Sequence, residues 1–230
     1  MTDPAMTDEE RALRTELIEA CRSMNSLGIN KGTAGNISVR HGAGFLISPT
    51  GIPYNDLVAE HVVAMNWDAS FAGDVLPSSE WRFHRDILRA RPDLKAVVHT
   101  HSTHATTVSI LGKDIPAIHY SIAATGGATI PCAPYEIFGS QALADVVVKA
   151  LEGRRACLMA HHGVIAAHSS IARALALAVT VEQLAQQYLL CLPLGDPPVL
   201  SDSQIAEVLV KFKTYGQQGT AAPEGLRRAS

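Results

Sequence analysis

The chain carries ten histidines, eight of them between His84 and His168. Their spacing matters more than their number. In the run Val97-Val98-His99-Thr100-His101 the two imidazoles stand at i and i+2, which places them on one face of a strand. Two nitrogens side by side are two ligands for a divalent metal. A third, from His161-His162-Gly163, would leave the fourth position open, as in catalytic zinc sites. Parity lets one member of an adjacent pair face a given side, and periodicity does not choose between His161 and His162. His104, three residues after His101, competes for a ligand place or lines a helix.

Glu80 is the carboxylate best placed for acid/base work, in Pro77-Ser78-Ser79-Glu80 at the start of a helical segment. A glutamate in a first helical turn also complements the helix dipole with no chemistry at all. Ser78 and Ser79 are ordinary cap residues, yet hydroxyls and free N–H groups at a helix start also make an anion site. Thr33-Ala34-Gly35-Asn36 and Ser48-Pro49-Thr50-Gly51 are small, hydroxyl-bearing turns of the kind that cradle phosphate, and of the kind that simply turn. The chain contains no Gly-x-x-x-x-Gly-Lys loop, no Gly-x-Gly-x-x-Gly and no Gly-x-Ser-x-Gly elbow. Nucleotide-binding loops and a serine hydrolase elbow are therefore unsupported.

These residues need elements to hold them. Thr7 and Glu10 have the form of a capping box, and Leu13, Leu17, Ile18, Cys21, Met24 and Leu27 recur at helical spacing before Gly28. Strands are expected at 36–40, 45–48 and 61–67, the first two joined by a hairpin through His41-Gly42-Ala43-Gly44. A helix headed by Pro77-Ser78-Ser79 should run to Ala90 and stop before Pro92, followed by a strand at 96–101, a helix at 104–111 and a strand at 115–120. Strands at 156–160 and 164–167 bracket His161-His162-Gly163. Helices from Ser170 to about Leu192 and from Asp202 to about Lys213 follow, and residues 216–230 read as a frayed tail.

With 230 residues, 47% hydrophobic and 18% charged, the chain can bury a sizeable core and reads as one domain over 1–230 with its core at about 7–215. A net charge of −3 offers no basic face to nucleic acid. The apolar stretch at 174–181 ends at charges well short of the ~18 residues of a membrane span, and the N-terminus lacks the basic and apolar regions of a secretory signal. Four cysteines (Cys21, Cys132, Cys157, Cys191), far apart and without Cys-x-x-Cys, suggest reduced thiols rather than a disulfide framework. The expectation is a cytoplasmic protein with neither a membrane nor a nucleic-acid partner.

Gly35-Asn36-Ile37-Ser38, Ser48-Pro49-Thr50-Gly51, Pro77-Ser78-Ser79-Glu80, His99-Thr100-His101 and His161-His162-Gly163, in this order, strongly resemble the class II aldolase/adducin family from about residue 10 to 215. The runs Ser78 to His84, Ile115 to Tyr120, Ile130 to Tyr135 and Lys211 to Gly216 are most similar to the branch acting on L-fuculose 1-phosphate. The resemblance implies a single three-layer α/β/α domain around a mixed, mostly antiparallel sheet, assembled as a homotetramer with active sites near subunit interfaces. It implies zinc, or another divalent metal such as Mn2+ or Co2+, held by His99, His101 and His162, with Glu80 as acid/base residue able to approach the metal when no substrate is bound. Asn36, Thr50, Gly51, Ser78 and Ser79 map onto a phosphate site, Tyr120 onto a tyrosine handling the aldehyde oxygen, and Tyr215 onto a tail tyrosine that closes over substrate.

The implied reaction is reversible aldol cleavage of a ketose 1-phosphate, L-fuculose 1-phosphate or a related 5-deoxypentulose 1-phosphate, to dihydroxyacetone phosphate and a short aldehyde. Relatives acting on 5-deoxyribulose or methylthioribulose 1-phosphate, as aldolase or dehydratase, share the same front end. The family's epimerases normally have an aspartate where this chain has Glu80, and its non-enzymatic adducins typically lack the histidines present here. A zinc-stabilised interaction scaffold is the non-enzyme alternative, and a closed four-ligand site would favour it.

Overall fold

The computed structural model describes residues 6–215. Helix α1 (Asp8–Ser26) starts where Thr7 Oγ1 accepts the Glu10 N–H at 3.2 Å. The reciprocal half of the expected capping box is replaced, because the Glu10 carboxylate turns to Arg14 Nε at 2.8 Å. Strands β1 (Asn36–His41) and β2 (Gly44–Ile47) form the expected hairpin, and β3 (Val63–Asn66) pairs with β2. The front of the segment read as a longer third strand is a 3-10 turn at Ala59–His61.

Helix α2 (Trp81–Ala90) leads to β4 (Ala96–Thr100) and α3 (Thr103–Ile110). The strand expected at 115–120 shrinks to β5 (Ile115–Pro116), since Pro116 has no N–H for a ladder and the chain coils into a 3-10 segment at Tyr120–Thr125. After β6 (Thr129–Ile130) and β7 (Cys132–Ala133) comes α4 (Gln141–Ala150), which the sequence reading did not anticipate. Strands β8 (Ala156–Met159) and β9 (Gly163–His168) and helices α5 (Ile171–Cys191) and α6 (Asp202–Phe212) complete the order. The tail at 216–230 lies outside the described residues.

The main sheet runs β3-β2-β1-β4-β9-β8-β7, antiparallel throughout except for the parallel β7–β8 pair, and β5 pairs with β6 separately. Period-two alternation divides its side chains between two cores. Ile37, Val98, Val164 and Ala166 join the layer of α1, α3 and α5, whereas Val97, Ile165 and Ala167 join the layer of α2 and α4. The architecture is the expected three-layer α/β/α arrangement around a mixed, mostly antiparallel sheet. By length and composition, residues 171–194 could cross a membrane. Within the fold, Ile171, Ala174, Ala178, Val181 and Ala185 of this helix are buried in the first core.

All four cysteines are free thiols, Cys21 and Cys157 buried and the other two half-buried. Burial pushes the Cys21 thiol up to about 12.

Candidate metal centre and active site

On β4, His99 shares parity with Val97 and so faces the α2 layer, where Phe83 meets its ring edge-on at 5.4 Å between centroids. His101 follows just past the strand end, and the two Nε2 atoms lie 2.9 Å apart. The third imidazole comes from the turn between β8 and β9. There His161 takes a left-handed conformation (φ 56°), its ring lies outward beside Tyr135, and His162 turns inward. The choice that sequence parity left open thus falls on His162. His162 stands 4.9 and 5.0 Å, centroid to centroid, from His99 and His101.

Gly163 makes this convergence sterically permissible. A Cβ there would stand 2.6 Å from the Thr100 carbonyl and 2.9 Å from His101 Cδ2. His104 is excluded from the cluster because its Nδ1 pairs with Glu182 Oε1 of α5 at 2.7 Å. The same carboxylate accepts the His104 and Ala105 N–H groups, both at 2.9 Å, and so caps the start of α3 from another helix.

Glu80 sits one residue before the first turn of α2, not within it as expected, and its side chain makes no capping bond. The carboxylate instead enters the cluster, 3.2 Å from His99 Nε2 and 3.1 Å from His162 Nε2. Only 5% exposed, it cannot rely on water, and an unpaired buried carboxylate would cost several kcal/mol. Burial pushes its pKa up, but the His99 charge and the ring nitrogens of His162 and His99 outweigh that and hold it below the ordinary carboxylate range. Burial also pulls His101 down to about 4, helped by its two imidazole neighbours, so its nitrogen is free to act as a donor to a metal.

Glu80, His99, His101 and His162 offer ligand atoms that all lie within 4.8 Å of one another. Two observations fit these residues to a divalent cation. His99 Nδ1 donates to the Val164 carbonyl at 3.0 Å, which leaves its Nε2 lone pair aimed at the cluster, the usual arrangement behind a metal-bound histidine. Glu80 Oε1 is buried with no hydrogen-bond partner: the His162 nitrogen is close, but outside hydrogen-bond geometry. Three imidazole nitrogens and one orphaned carboxylate oxygen form a donor set suited to zinc and similar ions.

A cavity of about 380 Å³ opens beside Glu80, His101 and His162, with Thr33, Ala34, Ser79, Tyr135, Glu136, Phe138 and His161 on its other walls. Residues of the expected phosphate site are brought together by backbone bonds. Ser78 N–H donates to Ser48 O at 3.0 Å and Thr50 N–H to Leu76 O at 3.1 Å, which lays the Thr50-Gly51 turn beside Ser78-Ser79. Ser78 is buried and its Oγ accepts the Glu80 N–H at 3.3 Å, whereas Ser79 is exposed and lines the cavity. Asn36 is 4% exposed, with Nδ2 on Glu80 Oε2 at 2.9 Å and Oδ1 on His84 Nε2 at 2.5 Å. One of the two Nδ2 hydrogens is thereby committed to Glu80.

Tyr120 and Tyr215 stand apart from the cluster of their own chain. They are 50% and 78% exposed and line a second cavity with Phe212, Arg155 and His168. The 135–138 segment on the first cavity and the His84 link behind Asn36 escaped the sequence reading. Their nearest signals were the exposed apolar run of Tyr135, Ile137 and Phe138, and a histidine at i+4 from Glu80.

Comparison with known proteins agrees with this geometry. Residues 15–189 match the family model described as class II aldolase and adducin N-terminal domain. The L-fuculose phosphate aldolase of Escherichia coli K12 is 53% identical over 209 residues, 90% of this chain and 97% of that protein. The 5-methylthioribulose-1-phosphate/5-deoxyribulose-1-phosphate aldolase of Rhodospirillum rubrum is 49% identical over 205 residues, 89% of this chain and 93% of that protein. A solved structure of an L-fuculose 1-phosphate aldolase superposes with a TM-score of 0.87 at 34% identity, covering 92% of this chain and all of that one. With a family model spanning most of its length and near full-length relatives at about half identity, the chain belongs to the class II aldolase and adducin family.

Proposed function

We propose that the protein is a metal-dependent aldolase that reversibly cleaves a ketose 1-phosphate to dihydroxyacetone phosphate and a short aldehyde, with L-fuculose 1-phosphate or a 5-deoxypentulose 1-phosphate as substrate. The observation that carries this reading is the convergence of His99, His101, His162 and Glu80 on the wall of a cavity that Ser79 also lines. A closed structural site would leave no such room for substrate beside the ligand atoms. Relatives named for L-fuculose phosphate and for the methylthioribulose and deoxyribulose 1-phosphates support the substrate class.

His99, His101 and His162 would hold the cation, zinc by preference and Mn2+ or Co2+ as substitutes. A divalent ion bound there supplies Lewis acidity toward the carbonyl and adjacent hydroxyl oxygens of the substrate. Glu80 moves the proton at C3 of dihydroxyacetone phosphate, removing it in condensation and returning it in cleavage. Ser78, Ser79, Thr50 and Gly51 clamp the phosphate and fix the register of the reacting carbons. Asn36 would join them through the second hydrogen of its amide, the first being held by Glu80.

Tyr120 donates a proton to the C4 alkoxide as it forms in condensation and takes that proton back from the C4 hydroxyl in cleavage, and Tyr215 closes over this oxygen. Because they line a different cavity from the cluster of their own chain, both roles are read as acting across a subunit interface, in the homotetramer that the family resemblance implies. The cytoplasm is the fitting compartment for a phosphorylated substrate. The test is a screen of ketose 1-phosphates with enzymatic detection of dihydroxyacetone phosphate. Release from at least one of L-fuculose, 5-deoxyribulose or methylthioribulose 1-phosphate supports the reading, and release from none of them overturns it.

A further inference from the structure

A buried line of hydrogen bonds runs behind Glu80. Asn36 Nδ2 lies 2.9 Å from Glu80 Oε2, Asn36 Oδ1 lies 2.5 Å from His84 Nε2, and His84 Nδ1 lies 2.7 Å from Ser38 Oγ. All four side chains are 5% exposed or less. Asn36 and Ser38 stand at i and i+2 on β1 and so share the face turned to α2. His84 lies one helical turn beyond Glu80 on α2, so both side chains reach the same strip of the sheet.

The direction of each bond follows from its end. A carboxylate can only accept, so Asn36 must turn its NH2 toward Glu80. Its carbonyl oxygen then faces His84, and an amide oxygen also only accepts, so the His84 proton must sit on Nε2. In a neutral imidazole Nδ1 is then the acceptor, and the Ser38 hydroxyl donates to it. With the proton on Nδ1 instead, Nε2 would oppose Asn36 Oδ1. The amide would have to flip and set its oxygen 2.9 Å from Glu80 Oε2, two acceptors facing each other away from water.

We infer that His84, oriented by Ser38, is a positioning residue for the acid/base carboxylate: through Asn36 it delivers an N–H to Glu80 Oε2 and leaves Oε1 as the oxygen presented to the metal or to substrate. The inference rests on the role given to Glu80 under Proposed function. It accounts for two features at once, the absence of a hydrogen-bond partner at Oε1 and the engagement of both ends of Asn36. Ser38 and His84 do not line the cavity, so breaking this line should disturb proton transfer and metal retention while leaving substrate contacts in place.

The experiment compares Ser38→Ala, His84→Leu and His84→Gln with the parent in the full-length, metal-loaded protein. The glutamine side chain keeps an N–H donor near the position of Nε2, whereas leucine keeps only bulk. Metal affinity is read by chelator competition without substrate, and proton transfer by exchange of solvent deuterium into dihydroxyacetone phosphate alongside its dissociation constant. Ser38→Ala and His84→Leu should weaken metal affinity and exchange by about 10- to 100-fold with ligand binding unchanged, and His84→Gln should recover most of the loss.

Parent-like affinity and exchange in the first two variants would overturn the inference, as would equal losses in the glutamine and leucine variants. If His84→Leu does not fold, Ser38→Ala, which removes a single hydroxyl, carries the same comparison. Long-range 1H–15N spectra of the parent should place the His84 proton on Nε2, and a proton on Nδ1 would overturn the inference as well. If the parent itself exchanges no deuterium, the aldolase reading fails, while the affinity and tautomer measurements still decide the role of His84.

Discussion

The Glu80 carboxylate lies 3.2 Å from His99 Nε2 because the start of α2 is laid across the face of β4 to which His99 points. Neither residue was brought there by its local neighbours. The β1–β4 register sets Asn36 directly opposite His99, so the donor that holds Glu80 and the imidazole that faces it come from paired positions in the sheet. The site is thus a product of tertiary packing on a strand pair, with the turn at His161-His162 closing it from the β9 side.

If the three imidazoles hold a metal, purified protein should contain about one equivalent of divalent ion per chain. His99→Ala and His162→Ala should each lose it together with activity, as elemental analysis and a cleavage assay would register. Full retention of metal in both variants would remove the assignment.

Gly163→Ala tests the packing behind the ligands. The added methyl must displace the Thr100 carbonyl or the His101 ring. The expected outcome is a folded protein with metal affinity reduced at least tenfold, because ligand geometry is lost before the sheet is. Chelator competition is the measurement, and unchanged affinity would show that His101 does not need its observed position.

Ser79→Ala should raise KM for a phosphorylated ketose more than for its unphosphorylated counterpart, since Ser79 is the exposed hydroxyl on the cavity at the head of α2. Equal changes for both substrates would place the phosphate elsewhere.

The pH dependence of stability carries a signature of His84. Burial, followed by the charge of His99, pulls its pKa from 6.5 down to about 3. The unfolded chain therefore binds a proton between these values that the folded protein refuses. Stability is unaffected by this group above about 6.5 and falls as pH drops toward 3, by about 2 kcal/mol at pH 5. Denaturation of metal-free protein between pH 7.5 and 4.5 should show a steeper loss for the parent than for His84→Gln, and parallel curves would contradict the buried neutral imidazole.

Much of the fold was legible because its boundaries are written locally. Thr7 and Ser170 accept N–H groups at the starts of α1 and α5, and His41 to Gly44 forms the hairpin connection. Two-residue strands such as β6 and β7 are too short to carry a period. Helix α4 did have a signal in the Ser140 cap and the spacing of Leu143, Ala144 and Val147, but its Val146-Val147-Val148 run also suits a strand.

In the site, the i,i+2 rule found His99 and His101, while periodicity could not choose between His161 and His162: the family resemblance named His162, and the left-handed turn at His161 is what turns it inward. Glu80 was legible as a carboxylate at a helix start, yet its position as the residue before α2 was not. The engagement of Asn36 with Glu80 and His84 was beyond reach, because residues 36, 80 and 84 meet only once β1 and α2 are packed.

The central claim is that Glu80 moves the C3 proton, and Glu80→Gln tests it without knowledge of the aldehyde. The substitution keeps the shape and removes the proton acceptor, so exchange of solvent deuterium into dihydroxyacetone phosphate should fall by at least 100-fold while the three histidines still retain metal. Exchange at the parent rate in a metal-loaded Glu80→Gln protein would contradict the account and reduce Glu80 to a residue at the head of α2.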